Sequence, residues 1–264
     1  MPRIALGIEY DGHPFRGWQS QADVPTVQQT LERAIQAFLV NDQRSAVVCA
    51  GRTDTGVHAL GQVVHLDTDV ERPTHAWVRG VNAHLPQSVA VRWAALVPDD
   101  FHARFSAERR EYFYCIHNAA TRSALLAHRA AWCFRPLDAG AMNEAATCLV
   151  GEHDFSSFRS AECQAKTPVK TVYSVRVTRV GQMIHLHIAA NAFLHHMVRN
   201  IVGSLVYVGL GRKPGEWIQQ VLDARDRKLA APTYDAAGLY FVRVHYPRRF
   251  VLPESPPMPW MEGV

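Results

Sequence analysis

The residues best suited to chemistry lie in one short segment, Gly51-Arg52-Thr53-Asp54-Thr55-Gly56-Val57-His58. It holds an acidic and a basic side chain between two glycines, and predicted strands flank it on both sides. A loop at the end of a strand can present Asp54 to a substrate, where an ionised carboxylate would stabilise developing positive charge. The same spacing also fits an ordinary turn in which Asp54 accepts backbone N–H bonds, because Gly and Asp are common turn residues. Local spacing leaves both interpretations open.

Cysteine and histidine spacing argues against a metal centre. The five cysteines are odd in number, lie far apart and form no C-x-x-C pair. The histidine pairs, His195-His196 and His185 with His187, lack the H-E-x-x-H arrangement of a zinc site. We therefore expect no metal and no structural disulfide.

Composition is typical of a soluble globular protein. Of 264 residues, 48% are hydrophobic and 20% are charged, enough for one large or two small cores. The net charge of +4, the pI of about 8.9 and the fourteen histidines weakly favour a polyanionic partner. Because no signal peptide and no run of eighteen apolar residues occurs, we expect a cytoplasmic protein that does not enter a membrane.

Hydrophobic periodicity predicts the order βαββαβ for the first part of the chain. A strand is expected over 3–10, and Thr26 with Gln29 forms a capping box for a helix that closes at Asn41-Asp42. Two short apolar runs, 46–50 and 62–66, predict strands. They are followed by a helix over 74–84 and a strand over 89–96.

The second part repeats that order without a repeat at the level of residues. Strands are predicted over 111–117, 172–180, 183–189 and 239–246, with helices over 138–149, 193–208 and 216–222. The expected class is α+β, with two ferredoxin-like (RRM-like) βαββαβ halves joined into a continuous, largely antiparallel sheet with a central cleft. We place the halves at 1–103 and 104–250, and residues 251–264 form a Pro-rich tail expected to be mobile.

The Asp54 segment resembles the G-R-T-D-x-G-V-H motif of the TruA family of tRNA pseudouridine synthases. The resemblance covers nearly the whole chain through further motifs in the same order: Val81-Asn82-Ala83-His84-Leu85-Pro86, Asp100-Phe101-His102-Ala103-Arg104-Phe105, Asn191-Ala192-Phe193-Leu194-His195-His196-Met197-Val198-Arg199-Asn200 and Gly238-Leu239-Tyr240. Five separated motifs in one order are far more specific than a single one. Thr55 stands where the family more often has Ala.

The resemblance implies an isomerase that converts uridine to pseudouridine at positions 38, 39 and 40 of the tRNA anticodon stem-loop. It implies Asp54 as nucleophile or base, with Arg199 as its ion-pair partner. Tyr112 would stack on the flipped uracil, and Arg52 and Leu239 would also bind the substrate nucleotide. It further implies no cofactor and a homodimer that binds tRNA across both copies.

Each assigned residue also has an ordinary structural interpretation. Arg199 could contact a phosphate or be an ordinary surface arginine, and Arg52 could contact a backbone phosphate. Tyr112 and Leu239 could be core residues. Other basic residues that could follow RNA phosphates are Arg109-Arg110, Arg225, Arg227-Lys228 and Arg248-Arg249.

Two alternative functions follow from the same residues. The first is a non-catalytic RRM-like RNA-binding protein, although the aromatic RNP1 string of such proteins is absent. The second is an N-glycosidase that releases the base. The sequence also leaves open whether Asp54 forms a covalent or a glycal intermediate, and whether His58 does more than pack.

Overall fold

The computed structural model describes residues 2–40 and 46–253. Within them the strands, in chain order, are β1 (Arg3–Tyr10), β2 (Val48–Cys49), β3 (His58–Asp67), β4 (Val89–Val97), β5 (Arg109–Asn118), β6 (Ala131–Cys133), β7 (Gly151–Asp154), β8 (Val169–Val180), β9 (Met183–Ala190) and β10 (Leu239–His245). The helices are α1 (Val27–Leu39), α2 (Thr74–Asn82), α3 (Ala139–Ala146), α4 (Met197–Gly209) and α5 (Trp217–Ala224). The predicted α+β class with mostly antiparallel pairing is confirmed.

The described chain forms two compact units. Unit 1 contains residues 2–40, 46–108 and 240–253, and unit 2 contains residues 109–239. The sequence-based halves, 1–103 and 104–250, assign all of the last strand to the second half, whereas from Tyr240 onward it belongs to unit 1. The reason is long-range pairing, since Tyr240 and Phe241 pair in parallel with His58 and Ala59 of β3.

Unit 1 has the strand order of a ferredoxin-like fold. β1 lies between β4 and β3, β2 pairs with β3, and all three pairings are antiparallel. β3 begins four residues before the predicted 62–66, because the buried polar His58 and Gly61 interrupt the apolar pattern of its first part. Nine of its ten residues are buried, so β3 is the centre of this unit.

α1 forms as the capping box predicts. The Thr26 hydroxyl accepts the backbone N–H of Gln29, and Leu31 and Ile35 are fully buried on its apolar face. The helix ends at Leu39, followed by Val40 in a left-handed conformation. The predicted stop at Asn41-Asp42 lies outside the described residues. Residues 254–264 of the Pro-rich tail also lie outside them.

Unit 2 repeats part of this arrangement. β5, β9 and β8 follow the order that β1, β3 and β2 follow in unit 1, and β7 extends the sheet beyond β8. The additional strand β6 pairs in parallel with the end of β5, and sequence periodicity missed both β6 and β7 because each has four residues or fewer. The predicted turn at Gly181 joins β8 to β9, with Gly181 at a φ of 57°.

α3 and α4 of unit 2 are shorter than predicted. α3 ends at Ala146 and continues as a 3-10 turn over Thr147–Leu149. α4 begins at Met197 and not at Phe193, because His196 has a left-handed φ of 63° that interrupts helical geometry. The longest described helices, α1 and α4, have 13 residues each, and no described helix is long and apolar enough to cross a membrane.

Candidate functional site

The Asp54 segment is a loop that joins β2 to β3 in unit 1. Thr53 and Val57 are buried, Asp54 is half-buried and Arg52 is exposed. The Val57 N–H donates to the Asp54 carbonyl at 3.1 Å, and Gly56 takes a φ of 77° that favours glycine. The loop therefore turns sharply directly after Asp54 and leaves the carboxylate partly accessible.

A network of buried hydrogen bonds fixes the residues of this loop that precede Asp54. The Tyr10 hydroxyl is 2.8 Å from the Thr53 hydroxyl, and the Trp18 N–H donates to the Thr53 carbonyl at 2.9 Å. The Gln62 side-chain amide donates to the Gly51 carbonyl at 2.6 Å. Burial raises the pKa of Tyr10 well above its ordinary value, so the phenol stays protonated and able to donate. The residue before Asp54 is thus fixed through both its side chain and its backbone.

Two glycines let the 11–18 segment approach the loop at backbone distance. A Cβ added to Gly12 would lie 2.0 Å from the Val57 carbonyl oxygen. One added to Gly17, whose φ is 90°, would lie 2.8 Å from the Thr53 carbonyl oxygen. Any side chain at either position would displace backbone atoms on both sides of Asp54.

His58 has a structural position beneath the same loop. Its Nδ1 accepts the Gly12 N–H at 3.1 Å and lies 3.2 Å from an Asp11 carboxylate oxygen. Its ring stacks on Tyr240 with centroids 4.7 Å apart, and it is 2% exposed. Nδ1 cannot accept from Gly12 and donate to Asp11 at once, so a ring without a proton on Nδ1 bonds to Gly12 and a ring with a proton on Nδ1 bonds to Asp11. These contacts link the end of the loop to Asp11 and Gly12, directly after β1, and to Tyr240 of β10.

Tyr112 lies on β5 of unit 2, opposite Ile188 of β9. Its ring packs edge-on against Phe193, with centroids 4.9 Å apart and planes at 80°. It is 8% exposed, so most of the ring is packed among protein atoms. Phe193 precedes α4 and was not predicted as a partner, although it belongs to the same motif as Arg199.

Arg199 lies in the first turn of α4. Its Nε donates to the Tyr234 carbonyl at 2.9 Å, while the Tyr234 N–H donates to the Arg199 carbonyl at 3.2 Å. Asn200 reinforces this connection, because its side-chain oxygen accepts from the Thr233 hydroxyl at 2.6 Å. The guanidinium is therefore held in one orientation through its Nε.

Leu239 follows a tightly bound segment of unit 2. Its N–H donates to the Ala236 carbonyl at 2.9 Å, and the Tyr114 hydroxyl donates to the Asp235 carbonyl at 2.5 Å. Gly238 packs so closely on β5 that an added Cβ would lie 2.4 Å from the Cys115 carbonyl oxygen. Leu239 is 5% exposed, which agrees with a packed apolar side chain.

The structure thus groups the predicted residues by unit. Arg52 and Asp54 share one loop of unit 1, whereas Tyr112, Arg199 and Leu239 belong to unit 2. Sequence reasoning missed the residues that position them, namely Tyr10, Trp18, Gln62, Phe193 and Tyr234. Only the glycines at 12 and 17 gave a detectable signal, since a glycine beside a motif often marks a close backbone approach.

The chain is similar in sequence to one family of known proteins. A family model described as tRNA pseudouridine synthase matches residues 7–106 and 145–247. A protein named tRNA pseudouridine synthase A from Paraburkholderia phymatum is 55% identical over 98% of this chain and 97% of its own length. Proteins of the same name from Bordetella petrii and Burkholderia cenocepacia are 55% and 56% identical over 97% and 98% of this chain, and over 95% and 96% of their own lengths.

A solved structure titled "Crystal Structure of a Cbf5-Nop10-Gar1 Complex" resembles the chain only distantly. It is 12% identical, with a TM-score of 0.35, and the likeness covers 77% of this chain and 45% of that one. That likeness is too weak to support any argument. The sequence match over nearly the full length is to tRNA pseudouridine synthases. It therefore does not favour the alternative of a non-catalytic RNA-binding protein.

Proposed function

Because the chain belongs to the tRNA pseudouridine synthase family, and is thus an isomerase of uridine in tRNA, we propose that Asp54 is its catalytic carboxylate. We also propose that its substrates are the uridines at positions 38, 39 and 40 of the anticodon stem-loop. The observation that carries the first proposal is the Asp54 loop, whose neighbouring residues are fixed by buried hydrogen bonds while the carboxylate stays partly accessible.

The chemistry requires a carboxylate at the sugar. Cleaving the C1′–N1 bond of uridine builds positive charge on the ribose, and the Asp54 carboxylate can stabilise that charge or attack C1′. It can alternatively remove a sugar proton to give a glycal. The uracil then turns and bonds to C1′ through C5, as a covalent Asp54–C1′ bond breaks or the sugar proton returns to the glycal. The C5 proton passes to water, and N1 takes up a proton. Uridine and pseudouridine are isomers, so the reaction consumes no electrons and needs no cofactor.

The loop's anchoring supports this role through positioning. Holding a reacting group in the correct geometry removes an entropic part of the barrier, and displacement by about 1 Å can cost roughly 100-fold in rate. Thr53 is fixed by Tyr10 and Trp18, so the backbone that carries Asp54 has little freedom. Asp54 is therefore pre-organised before the substrate arrives.

The remaining roles are proposed with their structural support. We assign Arg199 as the cation that keeps Asp54 ionised, since its Nε bond to Tyr234 orders the guanidinium. Tyr112 would stack on the flipped uracil and Leu239 would form an apolar wall beside it, and both are packed side chains with small exposed fractions. Arg52 would hold the flipped nucleotide, a role that suits its exposure.

We further propose that the protein works in the cytoplasm as a homodimer, with each tRNA bound across both copies. Sedimentation at micromolar concentration would show twice the chain mass of 29.6 kDa. A monomer that retains full activity on tRNA would contradict the dimer proposal and leave the catalytic assignment intact.

The catalytic assignment is tested by release of tritium from C5 of labelled uridine in unmodified tRNA. The wild type should release label and form pseudouridine, whereas Asp54→Asn, which keeps the side chain's shape, should lose activity by about 10³-fold or more. Circular dichroism and melting temperature check that the variant is folded. A folded Asp54→Asn enzyme with wild-type rate would exclude Asp54, and free uracil as product would indicate an N-glycosidase.

Mapping the modified nucleotides tests the substrate assignment. Transcripts in which uridine is present at only one of positions 38, 39 and 40 should each give pseudouridine at that position. Modification elsewhere, with none in the anticodon stem-loop, would overturn the assignment of the site while preserving the isomerase.

A further inference from the structure

An exposed aromatic edge occupies unit 2 at the end of β5. β6 pairs in parallel with β5, with Trp132 beside His117. Ala131 and Cys133 are buried, while Trp132 is 44% and Phe134 is 58% exposed. Strand alternation places the two aromatic side chains on the same face. Their ring centroids are 6.1 Å apart, so they form one surface.

This edge is held in place before any partner binds. The Trp132 indole N–H donates to the Ala119 carbonyl at 2.9 Å, which fixes the ring although 44% of the residue remains exposed. The Asn118 amide donates to the carbonyls of Cys133 and Arg135 at 2.9 and 2.7 Å. A rigid aromatic surface binds a ligand with less loss of conformational entropy than a mobile one.

The segment around the edge is purely basic. Residues 119–136 contain three arginines and one histidine but no Asp or Glu. Arg122 and Arg135 are exposed, and the Arg135 guanidinium lies 5.5 Å from the Phe134 ring centroid. Among residues 2–40 and 46–253, neither has an acidic partner. Each could therefore bind a phosphate without first breaking an ion pair.

Several arginines that the sequence suggested as phosphate contacts do have an acidic partner in the protein. Arg109 is 2.8 Å from Glu111, Arg249 is 2.7 Å from Asp100, and Arg225 is 3.6 Å from Asp154. Their charges are at least partly offset inside the protein. The charges of Arg122 and Arg135 are thus better suited to a polyanion.

We propose that Trp132, Phe134, Arg122 and Arg135, named here the β6 platform, form a tRNA contact separate from the nucleotide that is modified. Unstacked bases or riboses would stack on the two aromatic rings, and phosphates would bind the two arginines. This inference rests on the proposed function, since it takes tRNA as the substrate. RNA is favoured over a protein partner because the segment carries only basic charge.

The position of the platform predicts its effect on catalysis. Tyr112, assigned above to the flipped uracil, and His117, which pairs with Trp132, are five residues apart on β5. At about 3.3 Å per residue this is roughly 16 Å. The platform therefore contributes to holding tRNA and not to the chemical step, so its loss changes KM and Kd but not kcat.

The aromatic part is tested with Trp132→Ala/Phe134→Ala and unmodified full-length tRNA. We expect KM, and Kd from filter binding, to rise by about tenfold, with kcat within about twofold of wild type. Trp132→Phe/Phe134→Tyr keeps both rings and should retain wild-type KM, which separates loss of stacking from misfolding. Tyr173→Ala, at a 47% exposed tyrosine of β8, is the matched control and should have little effect.

The charged part is tested by the salt dependence of Kd. Arg122→Gln/Arg135→Gln should reduce the slope of log Kd against log salt by about 1.5, because two phosphate contacts are lost. Arg249→Gln removes an arginine that is also exposed but is already paired with Asp100, and it should change the slope much less.

Two results would overturn the proposal. One is an aromatic double variant that is folded and keeps wild-type KM and Kd. The other is a change in its sedimentation mass, which would identify the β6 platform as an interface between copies of the chain. Kd is measured independently of turnover, so failure of the platform is distinguishable from failure of the proposed function, which tritium release by the wild type tests.

Discussion

The loop after β2 in unit 1 and the turn after β8 in unit 2 occupy the same topological position but differ in chemistry. The first is the Asp54 loop, with buried hydrogen bonds to Tyr10 and Trp18. The second consists of Gly181 and Gln182 between the paired residues Val180 and Met183. The repeated strand order therefore carries no function by itself. Function depends on the loop that joins the strands, and only the loop of unit 1 carries the Asp54 carboxylate.

The largest effect that can sharpen this comparison is catalytic. Asp54→Asn should lower tritium release by about 10³-fold or more, whereas Gln182→Ala should leave the rate within about twofold. The reason is that only the first loop presents a carboxylate to the sugar. Comparable losses in two folded variants would break the distinction between the two positions.

The second contrast concerns glycine. Gly12→Ala should lower the free energy of unfolding by about 3 kcal/mol, because its Cβ would overlap the Val57 carbonyl. Gly181→Ala should cost only about 1 kcal/mol, since its site is spatially open and only its left-handed φ penalises a side chain. Urea unfolding measures both. Equal costs would show that the backbone approach at Gly12 relaxes readily.

The third contrast is between the buried His65 of β3 and the exposed His84, and it concerns how the free energy of unfolding depends on pH. Burial, reinforced by Arg3, lowers the pKa of His65 to about 4, and its Nδ1 accepts the Ala103 N–H at 3.1 Å. Between pH 6.5 and about 4 the unfolded chain binds more protons than the folded one, so stability falls as pH falls through that window.

The expected loss from His65 between pH 7 and 4.5 is roughly 2 kcal/mol. It should shrink in His65→Gln and persist in His84→Gln, where the histidine is exposed. Urea unfolding at the two pH values gives the comparison. An identical loss in all three proteins would place the pH dependence elsewhere.

The smallest expected effect compares His65 with His185 of β9. Both are buried and both have a lowered pKa from burial, but among the described residues the His185 Nδ1 has no hydrogen-bond partner. His185→Phe should therefore be neutral or stabilise the fold by about 1 kcal/mol, whereas His65→Phe should destabilise it by about 1 to 2 kcal/mol. Thermal unfolding at pH 7 tests the sign of each change.

Sequence alone determined the elements whose signals are local. The Thr26 capping box predicted the start of α1, and a glycine between two alternating segments predicted the β8–β9 turn. The motif around Asp54 predicted the family, which the comparisons confirm. These features depend on residues only a few positions apart, so hydrophobic period, capping and turn chemistry reveal them directly.

The tertiary structure alone decided which distant residues fix the site. The parallel pairing of Tyr240 with His58 moved most of β10 into unit 1, and the Gln62 hydrogen bond to Gly51 made a polar residue part of the core. The tertiary structure also determined which arginines have an acidic partner within the described part of the chain and which, as in the β6 platform, do not. Backbone pairing and ion pairing between residues far apart in the chain depend on how the chain folds back on itself, and no local pattern specifies them.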